Sequence, residues 1–187
     1  MKELNLQVVW HPSPEVAAAS NVAAQMRRLG LPSYEAFLEW SFADPDGFWK
    51  DFFEAIDFRW RTPYRETVEM RAGRPWARWF VGGELNATES ALDRHLEAGR
   101  GDRVALIWEG EEGESRRYTY RQVFEEVTRL TRALQALGIR PGDRVGLFLP
   151  MIPEVAFALL ATARLGAIAI PLFSGFGPEA VAVRLRD

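Results

Sequence analysis

Residues 144–187 read RVGLFLPMIPEVAFALLATARLGAIAIPLFSGFGPEAVAVRLRD, and their pattern sets the fold class. Residues 144–149 (RVGLFL) form a short apolar run rich in strand formers. Pro153–Leu165 predicts an apolar helix closed by Gly166, and residues 167–172 (AIAIPL) a second buried strand. Residues 173–177 (FSGFG) are the loop that follows, and Pro178–Arg186 opens another helix. Strand, helix, strand and helix in this order make a βαβα unit of a parallel sheet. Ligands bind such sheets at the C-terminal ends of the strands. Two or three parallel strands do not complete a sheet that needs helices on both faces. The expectation is therefore an α/β fold of which this is the front part.

Composition narrows the class further. The chain has 187 residues, enough for a real core in one or two domains. Its net charge of −3 gives no bulk electrostatic case for a nucleic acid or an anionic membrane as partner. The absence of cysteine excludes disulfides, thiolate nucleophiles and cysteine metal sites, and fits a reducing, cytoplasmic setting. The opening MKELNLQVVWHPSP lacks the long apolar core of a signal peptide. The most apolar stretch, residues 155–176, is interrupted by Arg164, Gly166 and Pro171, so it reads as buried strand–helix–strand and not as a membrane span.

Upstream the pattern divides near residue 101. Residues 1–101 are helical and aromatic-rich. Ser13 and Pro14 predict a helix start, with the helix running to Leu29 and stopping at Gly30. Ser33 predicts a helix through Trp40, and Asp44-Pro45 another start. Phe48, Trp49, Phe52, Phe53 and Ile56 then form a wide apolar helical face. Residues 58–77 read as a long ordered loop, residues 78–85 as a short strand or turn around Gly82-Gly83, and residues 88–98 as a helix ending at Gly99. Residues 102–187 begin an α/β domain. Residues 103–108 and 116–118, around the polar turn GEEGES, predict a hairpin. Thr119 caps a helix whose apolar face is Val123, Val127, Leu130, Leu134 and Leu137. Gly138 and the turn Pro141-Gly142-Asp143 lead into the strand at Arg144.

Candidate chemistry is sparse. Glycines in the 173–177 loop would let a ligand approach the backbone, and the next helix would offer its N-terminus to an anion. The loop is neither a Walker A motif nor GxGxxG, so on pattern alone it is an ordinary βα turn. Arg71, Arg74, Trp76, Arg78 and Trp79 could stack bases, but acidic neighbours favour a packed, partly solvated segment. His11 and His95 carry no metal-ligand spacing. Glu111, Glu112 and Glu114 lie in the polar turn, and Asn86-Ala87-Thr88 reads as a loop-to-helix turn. No catalytic or metal-binding residue is expected.

Taken together, YTYRQV, GIRPGDRV, LPMIPE and ARLGAIAIPLFSGFGPEAV resemble the adenylate-forming acyl-CoA synthetases, in the acetyl-CoA synthetase branch. YEAFLEWSFADPDGFW and RWFVGGELN are similar to the N-terminal segment of acetyl-, propionyl- and acetoacetyl-CoA synthetases. The resemblance implies a helical N-terminal cap (1–101) followed by the first, incomplete part of a parallel or mixed-sheet AMP-binding domain (102–187). It implies a two-step ligation in which a carboxylate attacks ATP, with Mg²⁺, and the acyl-adenylate is then taken by CoA. It places Phe173, Ser174 and Gly175 at the CoA nucleotide pocket, with Ser174 standing where the family has Gly.

The family's phosphate loop, T-S-G-T-T-G-x-P-K-G, does not occur in this sequence, and neither Lys2 nor Lys50 lies in a motif matching the family's adenylation lysine. The family's ribose-binding Asp, hinge and arginine-bearing CoA phosphate segment would fall beyond Asp187. The expectation is an N-terminal portion of an acetate-type acyl-CoA ligase, inactive alone and prone to self-association along an open sheet edge. The alternative is a non-enzymatic binding or regulatory module, or half of a split enzyme.

Overall fold

The computed structural model describes residues 9–186; the extreme N-terminus read above for a leader, with Lys2, lies outside them. The chain forms two compact units. One holds the described residues through Phe58 together with Tyr64–Gly82. The other holds Arg59–Pro63 and the chain from Gly83 onward.

The first unit is built from helices α1 (Pro14–Ala18), α2 (Asn21–Leu29), α3 (Tyr34–Ala43) and α4 (Pro45–Ala55), with an antiparallel pair β1 (Glu66–Glu69) and β2 (Arg78–Val81). The single helix expected from Pro14 to Leu29 is two. At the break, the Ser20 hydroxyl accepts from the Ala23 N–H at 3.1 Å and donates to the Ala17 carbonyl at 2.8 Å. That local bonding offers the backbone an alternative to continuing the helix. Helix α3 runs past Trp40 to Ala43, where Asp44 ends it and caps α4 by accepting from Gly47 N–H at 2.9 Å. The stretch read as a long loop contains β1, whose partner β2 lies ten or so residues on. An edge pair of four residues each carries little alternation to read.

Phe48, Trp49, Phe52 and Phe53 of α4 do form the aromatic core of this unit. Trp49 meets Phe80 edge-on with centroids 5.2 Å apart, and Phe53 meets the same ring at 5.2 Å. Ile56 lies past the end of the helix and is 42% exposed. Buried Asp51 accepts from Gln25 Nε2 at 2.5 Å and from both terminal nitrogens of Arg28, tying α2 to α4.

The second unit begins with one π turn over Glu89–Asp93 that runs into the short helix α5 (Arg94–Glu97). It continues with hairpin β3 (Val104–Glu109) and β4 (Ser115–Thr119), then α6 (Tyr120–Ala136). Strand β5 (Arg144–Phe148), α7 (Pro153–Leu165), β6 (Ile168–Leu172) and α8 (Pro178–Arg186) complete it. β5 and β6 are parallel and in register from Arg144 opposite Ile168 to Phe148 opposite Leu172. The βαβα reading of the C-terminal stretch therefore holds, as does the α/β class.

Thr119 and Gln122 form a reciprocal capping box at the start of α6. Val123 and Val127 of α6 pack with Leu92, Phe157 and Ala161 to make the core, and Leu130 and Leu134 lean on it. Leu137 does not belong to this face: α6 stops at Ala136, and Leu137 is 79% exposed. Thr131 is buried instead, its hydroxyl bonded to the Val127 carbonyl at 2.8 Å.

Asn86 and Thr88 are more than a turn. Asn86 Nδ2 donates to the Arg164 carbonyl at 3.0 Å and the Ala163 carbonyl at 3.4 Å, two acceptors at the end of α7 that have no partner within the helix. Its Oδ1 accepts from Thr88 N–H at 3.0 Å, and the fully buried Thr88 hydroxyl donates to Leu160 O at 3.1 Å. Replacing Asn86 with Ala is expected to lower the stability of the chain by about 1–3 kcal/mol, because it strands polar groups in a partly buried place. Urea denaturation followed by far-UV circular dichroism checks this; a midpoint equal to wild type would show that solvent replaces the amide at no cost.

Candidate functional site

The parallel register brings β5 and β6 to their C-terminal ends at the same level, so the loops that follow them lie side by side. Between these loops and α7 is a predominantly apolar pocket of about 410 Å³. Leu149 and Met151 wall it from the first loop, Val155 and Leu159 from α7, and Phe173 and Ser174 from the second loop. Such a crevice is where the strand-end rule puts a ligand.

Of the three residues singled out in the second loop, Phe173 and Ser174 line this pocket. Phe173 is 67% exposed and presents its ring edge-on to Phe176 with centroids 5.6 Å apart. The Phe176 N–H closes the turn onto the Phe173 carbonyl at 2.9 Å, and the Arg184 guanidinium lies 4.1 Å over the Phe176 ring. Gly175 acts by absence. A β-carbon there would stand 2.6 Å from Cε1 of Phe173, so any other residue would push that ring aside. The N-terminus of α8 already carries Glu179 in its first turn, a carboxylate that competes with any incoming anion.

Sequence reading missed the contribution of the first loop. Pro150 and Pro153 mark a turn, but nothing in the spacing shows that Leu149 and Met151 face Phe173. It also missed a second, charged pocket of about 430 Å³ in the same unit. There Arg59 pairs with Glu97 at 2.5 Å, Arg61 with Glu89, and Arg164 with Asp93 through two bonds of 2.8 and 3.0 Å. The partners come from distant parts of the chain, and each arginine faces a carboxylate. This is an ion-pair seam with no clear surplus of positive charge.

In the first unit, Arg71 lies near Glu66 (3.9 Å) and Glu69 (4.0 Å), and Arg78 near Glu69 (3.8 Å), so the arginine–tryptophan stretch is interleaved with carboxylates. Trp76 is 72% exposed. Among the described residues no group of three or more His, Asp or Glu is placed to hold a metal ion, and no helix is long and apolar enough to cross a membrane.

Comparison with known proteins agrees with the strand-end geometry. A family model described as AMP-binding enzyme matches residues 92–187, and the chain belongs to that family. Residues 34–91 match the model described as acetyl-coenzyme A synthetase N-terminus, which marks the branch. The acetyl-coenzyme A synthetase of Deinococcus radiodurans is 41% identical over 179 residues, 96% of this chain and 26% of that protein. That of Streptomyces avermitilis is 43% identical over 176 residues, 94% of this chain and 25% of that protein. Among solved structures, acetoacetyl-CoA synthetase from Streptomyces lividans superposes with a TM-score of 0.88 at 34% identity, over 97% of this chain and 29% of that one. The chain thus spans about a quarter of the length of the curated relatives it matches.

His95 is the one histidine in the second unit, and it serves packing. Its ring lies against Tyr120 with centroids 4.4 Å apart. Burial first, then the neighbouring charges of Arg100 and Arg94, hold it below its ordinary pKa of 6.5. The neutral ring is favoured in the folded chain, so the unfolded chain binds the proton more readily. Stability should therefore be full above about pH 6.5 and decline as pH falls from there through the folded value. Urea midpoints at stepped pH test this; in His95→Phe the decline over that window should flatten, and an unchanged slope would assign it to other groups.

Proposed function

We propose that the chain is the N-terminal portion of an ATP-dependent acyl-CoA ligase acting on acetate or a similar short carboxylate. A carboxylate oxygen attacks the α-phosphorus of ATP, and pyrophosphate leaves with the bonding pair. The CoA sulfur, having lost its proton, then attacks the acyl carbon, and AMP departs. The observation that carries this reading is the apolar strand-end pocket, with Phe173 and Ser174 on its wall, in a chain of the AMP-binding enzyme family.

In this reading Phe173, Ser174 and Gly175 form an edge of the CoA nucleotide site. The exposed Phe173 ring suits the flat face of a base, the Ser174 hydroxyl can hydrogen-bond its rim, and Gly175 leaves the Phe173 ring room. The pocket's apolar lining suits a base better than a phosphate. Mg²⁺ accompanies ATP in the complete reaction. The described residues offer no cluster that fits it, and no step is routed through it here.

The reading assigns residues 1–101 to the N-terminal segment of acetyl-CoA synthetase type and residues 102–187 to the start of the AMP-binding domain. It takes the setting as cytoplasmic. It also includes self-pairing along the outer edges of β5 and β6, which among the described strands pair only with each other.

Adenylation by these 187 residues alone is not expected. The sequence has no T-S-G-T-T-G-x-P-K-G loop and no lysine in an adenylation motif to stabilise charge at the α-phosphate. Calorimetry should give weak CoA binding, with Kd on the order of 0.1 mM, about −5.5 kcal/mol, and still weaker binding for Phe173→Ala. No CoA binding would remove the site assignment. Nanomolar CoA binding without catalysis would favour a free-standing binding module or half of a split enzyme. Acetate-dependent ATP–pyrophosphate exchange by the chain would overturn the expected inactivity.

A further inference from the structure

We infer that Trp108, on the hairpin, is a positioning residue for the strand-end pocket. It holds the 149–152 loop where Leu149 and Met151 wall the cavity against Phe173. The inference rests on the reading of that pocket as a CoA edge, but its central claim concerns the loop and is measurable without ligand.

Three contacts carry it. The Trp108 indole Nε1–H donates to the Met151 carbonyl at 2.7 Å, a bond between residues 43 positions apart in sequence. Arg116 sits opposite Trp108 in the β3–β4 register and lays its guanidinium over the indole ring, 4.9 Å from the centroid. The same guanidinium reaches Glu154 in the first turn of α7 at 3.5 Å. One cross-strand pair on the hairpin therefore grips both the loop and the start of the helix that follows it.

The loop has need of an outside anchor. Pro150 and Pro153 limit its backbone angles but do not fix where it lies. Its local bond, Ile152 N–H to the Pro150 carbonyl at 2.8 Å, closes a three-residue turn and fixes nothing relative to the sheet. The Met151 residue is 85% exposed, so packing of its side chain does not hold it. A hydrogen bond and an exposed ion pair are each modest. They suffice to bias four residues of loop, and they are too small to hold the core of the unit.

Trp108→Phe keeps a ring and deletes the donor. Arg116→Met keeps the stem and deletes the cation, which guards against a failure of Trp108→Phe to fold. Trp76→Phe, an exposed aromatic of the other unit, is the control. Hydrogen exchange at the Met151 and Ile152 amides, the urea midpoint and CoA affinity by NMR titration are measured on each full chain. In Trp108→Phe, exchange at the loop should accelerate about tenfold and the CoA dissociation constant rise about tenfold, with the urea midpoint close to wild type. Arg116→Met should move both in the same direction by about threefold. Unchanged loop exchange in both variants overturns the inference, whatever CoA does. Acceleration spread evenly over the whole unit also overturns it, since that assigns Trp108 to general stability. If wild type fails to bind CoA but loop exchange responds, the pocket's ligand assignment falls and the positioning role stands.

Discussion

The second unit depends on one helix being sandwiched between two different surfaces. Phe157 and the fully buried Ala161 of α7 press on Val123 and Val127 of α6, while Val155 and Leu159 turn toward the ends of β5 and β6. An alanine at 161 lets the two helices approach closely, and a larger side chain there would force them apart. Helix α7 is also pinned at both ends. Glu154 is paired with Arg116 at the start. At the finish Gly166 takes the left-handed conformation with φ 76°, Asn86 takes the terminal carbonyls, and Arg164 pairs with Asp93. A well-packed core does not deform continuously, so core and pocket move together or not at all.

This sharing explains which features could be read from the sequence. Helix ends are local chemistry, and Ser33, Asp44, Thr119, Gly138 and Gly166 all sit at ends of the helices they were expected to bound. The parallel strands were legible because a continuous apolar run on either side of a helix has few other meanings. Strand β1 was not, because four residues become a strand only when Arg78–Val81 lies beside them. Leu137 misled because periodicity continues in sequence after the helix has stopped. Ser20 misled in the opposite sense, since its hydroxyl makes two bonds that a helical spacing cannot reveal.

The site divides in the same way. Phe173 and Ser174 follow directly from the rule that ligands sit at strand ends. Leu149 and Met151 join them only through the register of Phe148 with Leu172, and Trp108 only through a hairpin whose turn lies about forty residues upstream. Tertiary contacts of this kind leave no spacing to detect. The arginines show the converse. Arg59, Arg61 and Arg164 look like free positive charge in a sequence, but in the fold each meets Glu97, Glu89 or Asp93.

That pairing bears on what the unit can contribute. Phosphoryl chemistry needs uncompensated donors or cations aimed at the charge that develops on the phosphorus oxygens. Exposed ion pairs are individually weak, but each one that forms cancels most of the field its arginine would project. The strand-end pocket, meanwhile, is walled mainly by leucine, valine and methionine side chains and one exposed aromatic ring. An apolar cleft with a single hydroxyl on its rim can orient a flat ligand group, but it cannot stabilise a pentavalent phosphorus. On the ligase reading, the second unit therefore supplies recognition and placement. Electrostatic work on ATP requires side chains of a kind that the described pockets do not bring together.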